Sequence, residues 1–250
     1  MDAAARRGVI RRRELAPHAF AIRGRPLFDV RMPHRPASLR RLPHYGTLLA
    51  ALLLDILIVP LLLALGAGMP VARTVTALVL LAAFAAVGSD RIAGLGMLLA
   101  FVAMVLYELS GNAGVMTIEL VLRMLFVGYV IFHITRDILR QGDQVTLDTI
   151  AGAAAVYMLI GLIWASGYLL LEHLRPGSFV IPDDWRLPGN VVGPALVFFS
   201  YVTLTTVGYG DIRAAGPAAG GLAIVEAIVG QLFLAITIAR LVGQHLSRRA

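Results

Sequence analysis

Six apolar runs follow one another along the chain, at residues 47–66, 74–88, 92–107, 116–134, 150–171 and 220–240, separated by short polar or glycine-containing stretches. An α-helix rises about 1.5 Å per residue and a bilayer's hydrocarbon core is about 30 Å thick, so about 20 such residues cross it. The second and third runs are shorter and depend on arginines at their flanks snorkelling to the interface. A seventh run, 194–204, is half the necessary length and gives way at once to "TVGYGD" at 206–211. Half a crossing followed by a glycine turn predicts a helix that enters the membrane and returns. The expected fold is an all-α membrane protein with six transmembrane helices plus a re-entrant helix and loop.

Composition agrees with that pattern. Hydrophobic residues fill 58% of 250 positions, mean hydropathy is +0.80 and only 15% of residues are charged, far from the balance of a soluble domain. Without cysteine there is no disulfide framework and no thiolate metal site. All 22 basic residues are arginine, and 11 of them lie before Gly46 among Pro17, Pro26, Pro33, Pro36 and Pro43. Residues 1–45 therefore read as a basic segment lying against anionic lipid rather than a packed core or a nucleic-acid arm. They are not a signal peptide, because the first apolar run starts too late and is too long.

Charge also sets orientation. With six crossings both termini share a side, and that side carries 17 arginines: the amino-terminal segment with Arg91, Arg136, Arg140, Arg240, Arg248 and Arg249. Only Arg73, Arg175, Arg186 and Arg213 face the other. Both termini are expected in the cytoplasm, in a multi-pass protein of the cell membrane, with "TVGYGD" facing outward.

Irregular backbone at membrane depth is tolerated only where protein buries it or where it lines a polar pathway. Carbonyls that all point one way require alternating backbone conformations, and Gly208 and Gly210 adopt the left-handed one without a β-carbon clash. Stacked carbonyl rings desolvate small hard cations favourably and repel anions. The intact "TLTTVGYGD" at 203–211 resembles the selectivity filter of the potassium channel family. The resemblance implies that backbone oxygens of Thr206, Val207, Gly208 and Tyr209 bind potassium, with the Thr206 hydroxyl at the innermost site. Thr205, Gly210 and Asp211 would support the filter and form its mouth. One chain brings one filter strand, so a homotetramer with a central pore is expected.

The resemblance extends to the flanks. Pro194 stands in the first turn of the expected pore helix, where its missing N–H costs nothing. "GGLAIVEAIVGQLFLAITIARLVGQHL" is similar to the family's inner helix, with Gly230 where many members carry a hinge glycine. Close packing of neighbouring helices is the alternative for Gly230. Glu226, an acid at membrane depth, is expected to hydrogen-bond behind the pore helix. Several members place tryptophans behind the filter, whereas this chain has Phe198 and Phe199, which donate no hydrogen bond. Tyr209 is then left to water, Tyr201 or Ser200, and Val202 replaces an acid found in some relatives.

The chain divides into a four-helix, sensor-like domain at 46–140 and a pore domain at 146–245. Of the arginines that voltage sensing requires, "ELVLRMLFVGYVIFHITRDILR" keeps only Arg123 within the membrane. Glu119, four residues earlier on the same face, is its expected ion-pair partner. Asp55 is either a second partner or a polar spot satisfied inside the bundle. Asp183 and Asp184 either concentrate cations near the mouth or cap a turn. The six histidines lack metal-ligand spacing, and no nucleophile elbow, phosphate loop or paired catalytic carboxylates occur, so neither an enzyme nor a cofactor is expected. About ten residues follow the sixth run, so no ligand-binding module is expected below the pore. The expected function is a potassium-selective channel subunit, passing potassium passively with little or no voltage gating. The alternatives are a potassium uptake transporter subunit, a voltage-gated potassium channel with few gating charges, and a scaffold with a dead pore.

Overall fold

The computed structural model describes residues 44–66, 68–87, 91–140, 146–187 and 191–247, so the basic amino-terminal segment expected at 1–45 lies almost wholly outside the described residues. The elements run α1 (His44–Ala64), α2 (Met69–Val87), α3 (Arg91–Ser110), α4 (Ala113–Arg140), α5 (Leu147–Leu174), β1 (Phe179–Val180), a 3-10 turn (Asp183–Trp185), α6 (Gly193–Leu204), β2 (Arg213–Ala214) and α7 (Pro217–Ser247). Among the described residues α1, α4, α5 and α7 are each long and apolar enough to cross a membrane. In α2 and α3 the apolar stretches, Thr74–Ala86 and Gly94–Tyr107, are shorter.

Every expected run lies within or nearly coincides with a helix, but α4, α5 and α7 outrun their apolar stretches. Backbone hydrogen bonding continues past the last apolar residue wherever caps and polar side chains support it. At the start of α5, Thr146 Oγ1 accepts from the Thr149 amide at 3.1 Å, meeting one of the amides that a helix start leaves unpaired. Where α1, α4 and α5 meet near their cytoplasmic-expected ends, the Tyr45 hydroxyl donates to Asp137 at 2.6 Å and the Tyr45 amide to Asp148 at 3.2 Å. Arg240 of α7 donates to the Ile138 carbonyl at 3.3 Å, in the last turn of α4.

The main apolar cluster draws Leu48 and Leu52 from α1, Val79 from α2, Val130 and Ile134 from α4 and Leu159 from α5. It reaches Leu204 at the end of α6, so the four-helix half and the helix leading into "TVGYGD" share one packed core. Small residues permit this closeness. At Gly161 an added β-carbon would lie 2.5 Å from the Tyr201 ring, which packs directly against the α5 backbone.

A second cluster, including Tyr168, Phe179, Leu196, Phe199 and Ile212, sits beneath a short antiparallel ribbon. There Phe179 pairs with Ala214 and Val180 with Arg213, and the Ala215 amide donates to the Ser178 carbonyl at 2.8 Å. This ribbon is a small addition to an otherwise helical fold. Two-residue strands are too short for alternation to reveal them.

Candidate functional site

α6 descends for 12 residues with Pro194 in its first turn and stops at Leu204. The carbonyls that its end leaves free are met by the following amides: Thr205 to Tyr201 at 3.0 Å, Thr206 to Thr203 at 2.9 Å and Val207 to Val202 at 2.9 Å. The Thr205 hydroxyl also donates to the Tyr201 carbonyl, at 2.6 Å. Val202, lacking an acid, thus tethers the loop through its backbone oxygen instead.

Beyond the helix the backbone alternates. Positive φ occurs at Thr206 (58°), Gly208 (60°) and Gly210 (84°), while 207 and 209 do not share it. Such alternation turns successive carbonyls toward one side, as a cation-lining strand requires. Gly208 and Gly210 were expected to be left-handed. Thr206 was not, although counting back in twos from Gly210 reaches it. A β-branched residue with positive φ is an outlier, sustained here because neighbouring contacts fix it. Its hydroxyl accepts from Gln231 Nε2 at 3.2 Å. Gln231 escaped notice in the sequence, where the only signal was a polar residue at membrane depth.

The side chains of Val207 and Tyr209 are 53% and 68% exposed within one chain. Tyr209 lies parallel to Phe198, with ring centroids 6.2 Å apart and planes 8° apart, and Phe198 in turn meets Trp185 at 4.5 Å. The hydroxyls suggested as partners for Tyr209 are engaged elsewhere. Tyr201 donates to the Met158 carbonyl at 2.8 Å, and Ser200 Oγ lies 2.8 Å from the Gly161 carbonyl and 2.5 Å from Glu226. Among the described residues of one chain, aromatic packing against Phe198 backs Tyr209. Asp211 is exposed beyond Gly210.

Behind α6, Glu226 is fully buried and its second oxygen accepts from the Tyr168 hydroxyl at 2.5 Å. One carboxyl therefore joins α5, α6 and α7, in keeping with the expected place behind the pore helix. Gly230, one turn further along α7, lies against the end of α6. A β-carbon there would fall on the Leu204 carbonyl oxygen and 2.9 Å from Leu204 Cδ1. That carbonyl also accepts from the Tyr157 hydroxyl at 3.1 Å. Close approach of two backbones is sufficient reason for the glycine.

In the four-helix half, Arg123 Nη1 lies 3.6 Å from Glu119 Oε1, the expected pair. Buried Asp55 accepts from Thr76 Oγ1 at 3.5 Å, a partner inside the bundle. A cavity of about 740 Å³ is lined both by this polar cluster, Asp55, Glu119 and Arg123, and by Phe198, Tyr201 and Thr205 of α6 and its end. Asp183 faces Arg186 at 3.8 Å across the 3-10 turn, whose N-cap is Pro182 and has no side-chain cap hydrogen bond. Among the described residues no cluster of histidine and acidic side chains is suited to hold a metal ion.

The whole of α6, the loop and most of α7 fall in one segment that aligns with known proteins. Residues 190–244 match the ion channel family. The matched segment contains the alternating loop, Glu226 and Gly230. The inward rectifier potassium channel Kirbac3.1 of Paramagnetospirillum magnetotacticum is 33% identical over 104 residues, 40% of this chain and 30% of that relative. The alignment thus spans less than a third of the relative's length. No solved structure matches the chain.

Proposed function

We propose that this chain is a subunit of a potassium-selective channel that passes potassium passively through a central pore. The observation that carries the reading is the alternation of left-handed backbone at Thr206, Gly208 and Gly210, at the end of a half-length helix in a segment matching the ion channel family. A strand of this kind forms one quarter of a carbonyl ring, so four copies assemble around the ion. Exposure of Val207 and Tyr209 in the single chain suits surfaces that neighbouring copies cover. All six long helices α1–α5 and α7 cross the cell membrane in this reading, with both termini in the cytoplasm and residues 1–45 on anionic lipid. Backbone oxygens of Thr206, Val207, Gly208 and Tyr209 replace the ion's water, and no cofactor takes part. The relative's name, that of an inward rectifier potassium channel, agrees with the same ion.

Purified protein in liposomes loaded with potassium tests this. Potassium efflux that sets up a diffusion potential, with sodium carrying at least tenfold less, is the expected result. Flux that requires a sodium or proton gradient would move the assignment to a coupled transporter, and no potassium flux from assembled protein would end it.

A further inference from the structure

The Trp185 ring belongs to the outer 3-10 turn, not to the helix or loop that forms the filter, yet it packs against Phe198 at 4.5 Å. Phe198 is on α6 and lies nearly parallel to the Tyr209 ring, offset from it with centroids 6.2 Å apart and planes 8° apart. Offset-stacked and tilted rings at these separations attract one another. The turn holding Trp185 is itself fixed: its amide donates to the Pro182 carbonyl at 3.1 Å, and Arg186 Nε donates to the Ile181 carbonyl at 3.3 Å. Ile181 is buried in the cluster beneath the β1–β2 ribbon, and β2 follows the filter directly. The outer loop therefore holds the filter's exit at two points, one through backbone pairing and one through the ring ladder. Within one chain the ladder reaches Tyr209, whose neighbours Ser200 and Tyr201 spend their hydroxyls elsewhere.

We infer that Trp185 is a positioning residue for the filter: through Phe198 it fixes the Tyr209 ring, and with it the spacing of the outer carbonyl oxygens. This rests on the potassium channel reading. Trp185 touches no ion; its effect passes through two aromatic faces.

The test compares full-length Trp185→Phe, Trp185→Leu and wild type in liposomes, measuring the potassium-over-sodium permeability ratio. Both replacements fill the loop, but only phenylalanine keeps a ring against Phe198. The ratio is expected to stay within about twofold of wild type in Trp185→Phe and to fall about tenfold or more in Trp185→Leu. Equal ratios in the two variants overturn the inference. A second readout is independent of assembly differences between variants. In Trp164→Phe, Trp185 is the remaining tryptophan, and replacing sodium by potassium is expected to shift its emission as Tyr209 settles. Emission unaffected by the exchange in protein that conducts potassium overturns the inference alone. Wild-type protein with no potassium flux overturns the channel reading and the inference with it.

Discussion

Thr206 holds φ at 58° despite a branched β-carbon, whereas Gly208 reaches 60° at no steric cost. The difference lies in support: Thr206 is tied to Gln231, while nothing lies within 4 Å of a β-carbon built at Gly208. Gly208→Ala therefore meets no clash inside the chain, only the intrinsic cost of left-handed backbone, about 1–2 kcal/mol per subunit. Relaxation toward negative φ would turn a carbonyl out of the ring, so potassium-over-sodium permeability is expected to collapse; an unchanged ratio would show that the backbone does not select. Gly230→Ala discriminates between two roles. A hinge alone predicts lower open probability with unchanged selectivity and stability. The contact with Leu204 predicts overpacking of about 1–3 kcal/mol and a displaced α6 end, hence a lower melting temperature together with altered selectivity. Thermal unfolding in detergent and bilayer recording on the same variant separate these outcomes.

At the scale of elements, Glu226 is the joint between α5, α6 and α7. Three contacts, to Tyr168, to Ser200 and from Ser200 to Gly161, share two hydroxyl protons. Glutamine supplies the missing proton from its amide while its oxygen still accepts from Tyr168. Glu226→Gln is accordingly expected to unfold within a few degrees of wild type. Glu226→Ala leaves the buried Tyr168 hydroxyl without its partner and a cavity, while Ser200 keeps the Gly161 carbonyl, a loss of roughly 2–5 kcal/mol. Equal melting temperatures for the alanine and glutamine variants would show that the carboxyl does not join the helices.

For the whole molecule, the question is what the first four helices can do to the pore. One elementary charge crossing the full membrane field gains about 2.3 kcal/mol per 100 mV, and steep voltage gating moves about 3 to 4 charges per subunit. α4 carries Arg123 paired with Glu119 on the same helix, so the two move together with no net charge. Voltage is expected to change open probability little, leaving α1–α4 as a structural collar packed against α5. Stepped-voltage recording in a planar bilayer checks this. Open probability rising steeply over a few tens of millivolts, and flattened by Arg123→Gln, would restore the voltage-gated alternative.

Apolar runs located the long helices because run length and backbone hydrogen bonding are local properties, satisfied within each segment. The Glu119–Arg123 pair was legible for the same reason: four residues on one helix place two side chains side by side. Spacing of the glycines gave most of the alternating loop. Other contacts needed the tertiary structure: Trp185 with Phe198, Gln231 with Thr206, Gly230 with Leu204 and the partners of Glu226. Each joins different elements, and which residues meet depends on how the helices are rotated about their axes. In a soluble protein a polar stripe reports that rotation. In a chain surrounded by lipid the outward face is as apolar as the packed one, so helix–helix contacts follow from shape and hydrogen bonding that no hydrophobic pattern records.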